Sequence, residues 1–262
     1  MSDKCDPDRI EGLYQGYGQG GREATLDRAV TTDTISEAFA NTVSAVSDIQ
    51  GIGPFYPSGS RKSLFDLQEE RGPLDRVLLD TEHAQALLWS PPRWAVKNHP
   101  ELDFMYVARE IKPGAAVYGK KRTWVIDKNC QVSADLLLMN TADRTPIVAE
   151  FKRGGDQNAD YALVQALAAA AQLTPLSQRQ RLQTEYSEHF GENVPERLDV
   201  YVILTDPPPR GTWPKLFNNA LTHAGELTAS GKLQQWVRRL VFLEAKVEDS
   251  QLTFEVLDKP YA

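Results

Sequence analysis

Asp135, Glu150 and Lys152 fall within the stretch SADLLLMNTADRTPIVAEFKRGG, residues 133–155, where each interrupts an otherwise apolar run. Glu150 and Lys152 are two residues apart, so on a strand both point to one face while Phe151 points to the other, into a core. The polar turn TADR lies midway between positions 135 and 150, and a hairpin folded there brings Asp135 roughly opposite Glu150. Three charges then converge on one face of two neighbouring strands. Carboxylates that close repel, and their pKa values rise unless something positive sits between them. A divalent ion with oxygen ligands is the natural partner, since Mg²⁺ typically takes one or two carboxylates plus waters and substrate phosphate. A lysine beside them can hold or activate an attacking water, or stabilise charge developing on a phosphate. Together these parts suit metal-assisted hydrolysis of a phosphodiester.

The competing use of such charges is a solvated cross-strand ladder, which contributes little to stability. Against it, ADLLLM and PIVAEF are almost continuously apolar, as in strands covered on both faces, and a charge there needs a specific reason.

The elements that position these residues follow from periodicity and breakers. Residues 31–49 carry apolar residues at helical spacing behind Thr and Asp caps, and 51–60 read as a Gly- and Pro-bearing loop. A second helix is expected over 74–89, between Pro73 and Pro91. DFMYVAREI and RTWVID read as strands joined by a KPGAAVYGKK connection, followed by the two strands of the hairpin. NADYALVQALAAAAQL, residues 158–173, is a helix whose small side chains allow close packing on a sheet. A helix at 175–190, a buried strand at 197–206, a helix within 213–233 and two strands, VRRLVFLEAKV and LTFEVLD, complete the order. This is an α/β arrangement on a mixed sheet. Residues 1–60 are expected to form an N-terminal arm and helix, partly extended, with Tyr14 and Tyr17 available to dock it, and residues 61–262 the main domain.

SAD followed by EFK resembles the PD-(D/E)XK nuclease superfamily, which includes restriction endonucleases, Holliday junction resolvases and RecB-like exonucleases. Ala134 stands where the motif has an often variable proline. The resemblance runs from about 133 to 172, with a strand-helix-strand continuation through 206. It implies a restriction-endonuclease-like mixed β-sheet flanked by helices, with Asp135 and Glu150 as Mg²⁺ ligands, Mn²⁺ able to substitute, and Lys152 as the catalytic lysine. Gln165 resembles the glutamine that RecB-like members carry on the following helix. Many members add a glutamate from a preceding helix; Glu82 is the choice here, with Glu70 and Glu101 as rivals. The implied activity is that of a metal-dependent deoxyribonuclease, and the alternative is a catalytically silent module of the same fold that binds nucleic acid or a protein. DNA is the implied partner, and a homodimer or a protein partner in a defence or repair system is compatible with the family.

The formal net charge of −7 counts against a protein whose whole surface attracts a polyanion. A local basic strip can still work on an acidic body. GKKR at 119–122, FKRGG, RQR at 179–181 and VRR at 237–239 are its candidate sources, with Lys120, Lys121, Arg122 and Arg153 nearest the motif. The two cysteines, Cys5 and Cys130, lie far apart and match no metal-ligand spacing, so neither a disulfide nor a zinc site is expected. His83, His99, His189 and His223 share no ligand spacing. No run of about 18 apolar residues and no secretion-signal layout is seen, so the expectation is a cytoplasmic protein with no membrane span.

Overall fold

The computed structural model describes residues 5–19, 30–47, 49, 55–57, 93–118, 121–124, 126–152, 158–205, 207, 215–248 and 251–258. In chain order these form α1 (Ile10–Gln19), α2 (Thr32–Ser47), β1 (Phe55–Pro57), β2 (Arg93–Trp94), β3 (Phe104–Tyr118), β4 (Lys121–Trp124), β5 (Ala134–Asn140), β6 (Pro146–Lys152), α3 (Ala159–Leu173), α4 (Leu176–Glu185), α5 (Ser187–Phe190), β7 (Leu198–Thr205), α6 (Lys215–Ala229), β8 (Val237–Glu248) and β9 (Gln251–Val256). The helix expected over 74–89 lies outside the described residues.

One mixed sheet organises the molecule, in the order β1-β3-β5-β6-β7-β8-β9, with β2 and β4 paired to β3 off that path. β5 and β6 form the antiparallel hairpin, and β6, β7 and β8 run parallel. Every residue of β7, LDVYVILT, is buried, as expected of a parallel strand covered on both faces. The crossover from β6 to β7 carries α3, whose Ala168, Ala169, Ala170 and Ala171 are fully buried. With only methyl groups at these positions, the helix axis can approach the sheet closely. Alternation divides the strands between two cores. Leu137, Met139, Val148, Val200 and Val202 face the helices. Leu136, Leu138, Ile147, Ala149, Tyr201 and Ile203 face the other way. That second face is closed by the sheet itself. It curls until Val96 bridges to Phe254, and Trp94, Phe104 and Phe254 pack ring against ring with centroids 4.8 to 5.8 Å apart. The result is nearly barrel-shaped, with helices on its outer face.

Among the strands and helices of the main domain, three readings of the sequence are corrected. The KPGAAVYGKK connection is not a break: residues 104–118 form one strand, β3, which pairs with β5 as far as Ile111 and with β4 from Ala115. Its irregularity is absorbed at Glu110, whose φ is 49°, and at a register shift between Tyr106 and Ala108. The helix expected over 175–190 is broken at Tyr186 into α4 and α5. A short strand, β1, lies within the expected loop at 51–60.

The N-terminal segment departs furthest from the expected extended arm. Cys5 and Cys130 are joined by a disulfide across 125 residues of chain, overturning the reading of the cysteines as unrelated. α1 is docked rather than exposed, with Ile10 and Glu11 fully buried. The Glu11 carboxylate is satisfied by an ion pair to Arg9 at 2.7 Å and by hydrogen bonds donated by Thr42 and Gln172, each 2.6 Å. Gln172 donates also to the Cys130 carbonyl, so one side chain ties α1 and α3 to the disulfide. Gly12 permits the fit, because a Cβ there would stand 2.1 Å from the Asp6 carbonyl oxygen. On the far side of α3, His223 of α6 pairs with the buried Asp160 at 2.8 Å and is held above its ordinary pKa chiefly by that bond.

A cross-link closing so long a loop removes conformational freedom from the unfolded chain, typically about 2–5 kcal/mol. Chemical denaturation of a Cys5→Ala variant should therefore give a midpoint clearly below that of the oxidised wild type. Equal midpoints would show that the bridge contributes nothing to the fold.

Candidate active site

The hairpin register places the charged residues. Leu136 pairs with Ala149 and Leu137 with Val148, so one step further out Asp135 stands opposite Glu150. Asp135 Oδ2 accepts a hydrogen bond from the Phe151 backbone N–H at 3.0 Å, which fixes this carboxylate across the strand pair. Glu150 and Lys152 share a face, with Lys152 Nζ 2.5 Å from Glu150 Oε1, while Phe151 packs against the opposite core. Gln165, two turns into α3, accepts from Lys152 Nζ at 3.0 Å. The structure thus brings together Asp135, Glu150, Lys152 and Gln165, as the sequence indicated.

Burial makes the site unusual. Glu150 is 1% exposed, and the Lys152 side chain 14%. One Glu150 oxygen receives Lys152; the other, Oε2, is buried with no hydrogen-bond partner. Desolvation raises the Glu150 pKa well above the ordinary carboxyl value, and the Asp135 charge raises it further. Lys152 acts in the opposite direction without overcoming them. A hydrogen bond from protonated Glu150 to Asp135 adds to the shift, so a proton or a cation is favoured between the two carboxylates. Two adjacent carboxylates with an orphaned buried oxygen fit a hard divalent cation that completes its shell with water. No group of three or more His, Cys, Asp or Glu side chains able to hold a metal is found among the described residues.

Two tyrosines that were not among the candidate site residues also stand here. Tyr161, one turn before Gln165 on α3, presents its ring to Lys152 Nζ, 5.4 Å from the centroid. Tyr14 of α1 stacks on Tyr161 with centroids 5.2 Å apart. The four-residue spacing of Tyr161 and Gln165 on a helix was the available signal for the first. Tyr14 was marked in the sequence only as an aromatic able to dock the N-terminal arm, with nothing to link it to the site.

The remaining candidates are placed as follows. Glu82, Glu70, Lys120 and Arg153 lie outside the described residues. Lys121 and Arg122 are in β4, opposite Tyr118 and Val117. This puts them on the extension of β3 beyond the end of β5 where Asp135 sits. Glu101 is not part of the site: its carbonyl accepts from Asn140, at the opposite end of β5. The RQR and VRR groups do not line the site either. Arg181 is buried, donating to the Pro113 and Ala115 carbonyls of β3, and Arg179 donates to the Thr174 and Pro195 carbonyls. Arg238 pairs with the fully buried Asp199 at 2.6 Å, and Arg239 donates to the Glu101 carbonyl, both at the far end of the sheet. A cleft of about 530 Å³ at that far end, between Asp143, Arg144, Gly191, Glu196 and Arg238, is likewise remote from Lys152.

Comparison of the chain with models of protein families, with curated proteins and with solved structures finds no match. What the fold defines is an α/β protein whose mixed, nearly barrel-shaped sheet packs against helices. No helix among the described residues is long and apolar enough to cross a membrane.

Because the folded-state pKa of Glu150 lies above the unfolded value, the unfolded chain releases this proton first as the pH rises past 4.5, and stability falls until the folded-state pKa is passed. Below that value the group is protonated in both states and the penalty vanishes. Glu150→Gln should therefore raise the metal-free melting temperature at pH 7, with the gain shrinking to nothing as the pH falls towards about 4. A variant that melts lower than wild type at neutral pH would contradict this electrostatic picture.

Proposed function

We propose that the protein is a metal-dependent nuclease that hydrolyses phosphodiester bonds of DNA, with a restriction-endonuclease-like core of the PD-(D/E)XK type. The observation that carries the reading is the buried Glu150 beside Asp135, with Lys152 bonded to it and to Gln165. An ordinary ion pair needs neither the second carboxylate nor the burial, and an isolated pair of this kind adds little to stability. The arrangement is understandable as a preorganised site whose electrostatic strain is relieved by a ligand.

Asp135 and Glu150 would hold Mg²⁺, or Mn²⁺ in its place. The bound ion supplies charge stabilisation for the attacked phosphate and lowers the pKa of its water. Lys152, fixed by Glu150 and Gln165, orients the attacking water or compensates charge on the phosphate. Asp135, bonded to the Phe151 N–H, keeps the two strands in register while its carboxylate stays beside Glu150. Lys120, Lys121, Arg122 and Arg153, the basic residues nearest the motif in sequence, are proposed to contact the phosphate backbone.

A second reading, a catalytically silent module of the same fold, draws on two observations. The net charge is −7, and the arginines of RQR and VRR are committed to internal partners. The Cys5–Cys130 bridge weighs against the cytoplasmic expectation, since disulfides persist mainly in oxidising compartments.

The test is incubation of wild type and Lys152→Ala with plasmid, linear duplex and single-stranded DNA in Mg²⁺, Mn²⁺ and EDTA. The nuclease reading expects cutting that EDTA abolishes and that the variant loses by about 100-fold or more. Equal inertness of both proteins, with DNA binding retained, supports the silent module instead.

A further inference from the structure

We infer that Tyr161, backed by Tyr14, positions the Lys152 ammonium, so that the disulfide-tethered N-terminal helix is a working part of the active site; this rests on the nuclease reading above. Lys152 Nζ stands among polar and aromatic neighbours. Glu150 Oε1 and Gln165 Oε1 accept its hydrogen bonds at 2.5 and 3.0 Å, and the Tyr161 ring stands 5.4 Å away. A lysine ammonium is a compact point charge on a flexible four-carbon stem, so its place is set by the groups packed around it. The Tyr161 face adds a non-directional attraction that holds the ammonium towards the α3 side of the site.

Tyr161 is itself held from behind. The Tyr14 ring lies against it at 5.2 Å and an interplanar angle of 26°. Burial, the Tyr161 hydroxyl and the nearby carboxylates all raise the Tyr14 pKa, so the phenol stays neutral and adds no competing charge. Tyr14 in turn is placed by the attachments of α1. Cys5 is bridged to Cys130, Gln15 donates to the Asn129 carbonyl, and Glu11 is bonded to Gln172 of α3. The chain from the disulfide to Lys152 is therefore continuous: bridge, helix, Tyr14, Tyr161, ammonium. A group placed through such a chain affects the rate of a bound substrate rather than its affinity.

Two measurements test this. In the metal-free protein with isotope-labelled lysine, the Lys152 ε-methylene resonance, identified by its loss in Lys152→Arg, should lie upfield because of the Tyr161 ring. Tyr161→Leu and Tyr14→Leu should move it towards the ordinary lysine position, and Tyr161→Phe should leave it in place. In DNA cleavage, Tyr161→Leu should lower kcat about tenfold with KM within about twofold, and Tyr161→Phe should restore kcat. A wild-type resonance at the ordinary position, or an active Tyr161→Leu with unchanged kcat, would overturn the proposal. An inert wild type that still shows the ring-shifted resonance would count against the nuclease reading while leaving the Tyr161–Lys152 contact standing.

Discussion

The structure depends on a carboxylate placed where carboxylates are rarely stable. Glu150 lies on the helix-facing side of a sheet whose neighbouring positions are Val148, Leu137 and Val202. Taking a charge out of water there is costly unless it is paired and hydrogen-bonded. The protein meets that cost only in part. Lys152 satisfies one oxygen, Asp135 adds like charge, and Oε2 has no partner. The tension is local, and it is tolerated because the surrounding hairpin and parallel strands are held by two fully formed cores. Sites of this kind, destabilised in isolation and supported by their scaffold, are characteristic of places that bind a ligand or carry out chemistry.

The scaffold has two supports of different kind. On the sheet, the pairing of β5 with β6 fixes the approach of Asp135 to Glu150, and the parallel pairing of β6 with β7 anchors the strand that carries both Glu150 and Lys152. Beyond the sheet, α3 delivers Gln165 and Tyr161 from one helical face, while α1 returns from the start of the chain to cover Tyr161 with Tyr14. The second support is assembled from residues more than a hundred positions apart, which is why a covalent bridge and a buried Glu11–Gln172 hydrogen bond are concentrated there.

How much of this was legible follows from the range of the interactions. The hairpin, the face shared by Glu150 and Lys152, and the helix bearing Gln165 depend on local patterns: alternation, a polar turn and a breaker-free alanine run. The errors arose where distant contacts overrode local signals. Pro113 and Gly114 resemble a turn, yet the carbonyl of Pro113 is claimed by Gln178 and Arg181 and the strand continues through them. Arg181 and Arg238 resemble solvated basic residues, yet each finds acceptors inside the fold, and their long stems make burial affordable once the head is bonded. The glycines of α1 weaken any helical signal, and the pairing of Cys5 with Cys130 is a property of three-dimensional closeness that spacing along the chain does not encode.

The central claim is that Asp135 and Glu150 form a divalent-ion site in a fold that is complete without the ion. Calorimetric titration of Mn²⁺ into wild type, Asp135→Asn and Glu150→Gln tests it most directly. The account predicts measurable binding to wild type that is lost in both variants while both remain folded. Binding of equal strength to all three proteins, or to none, would contradict it.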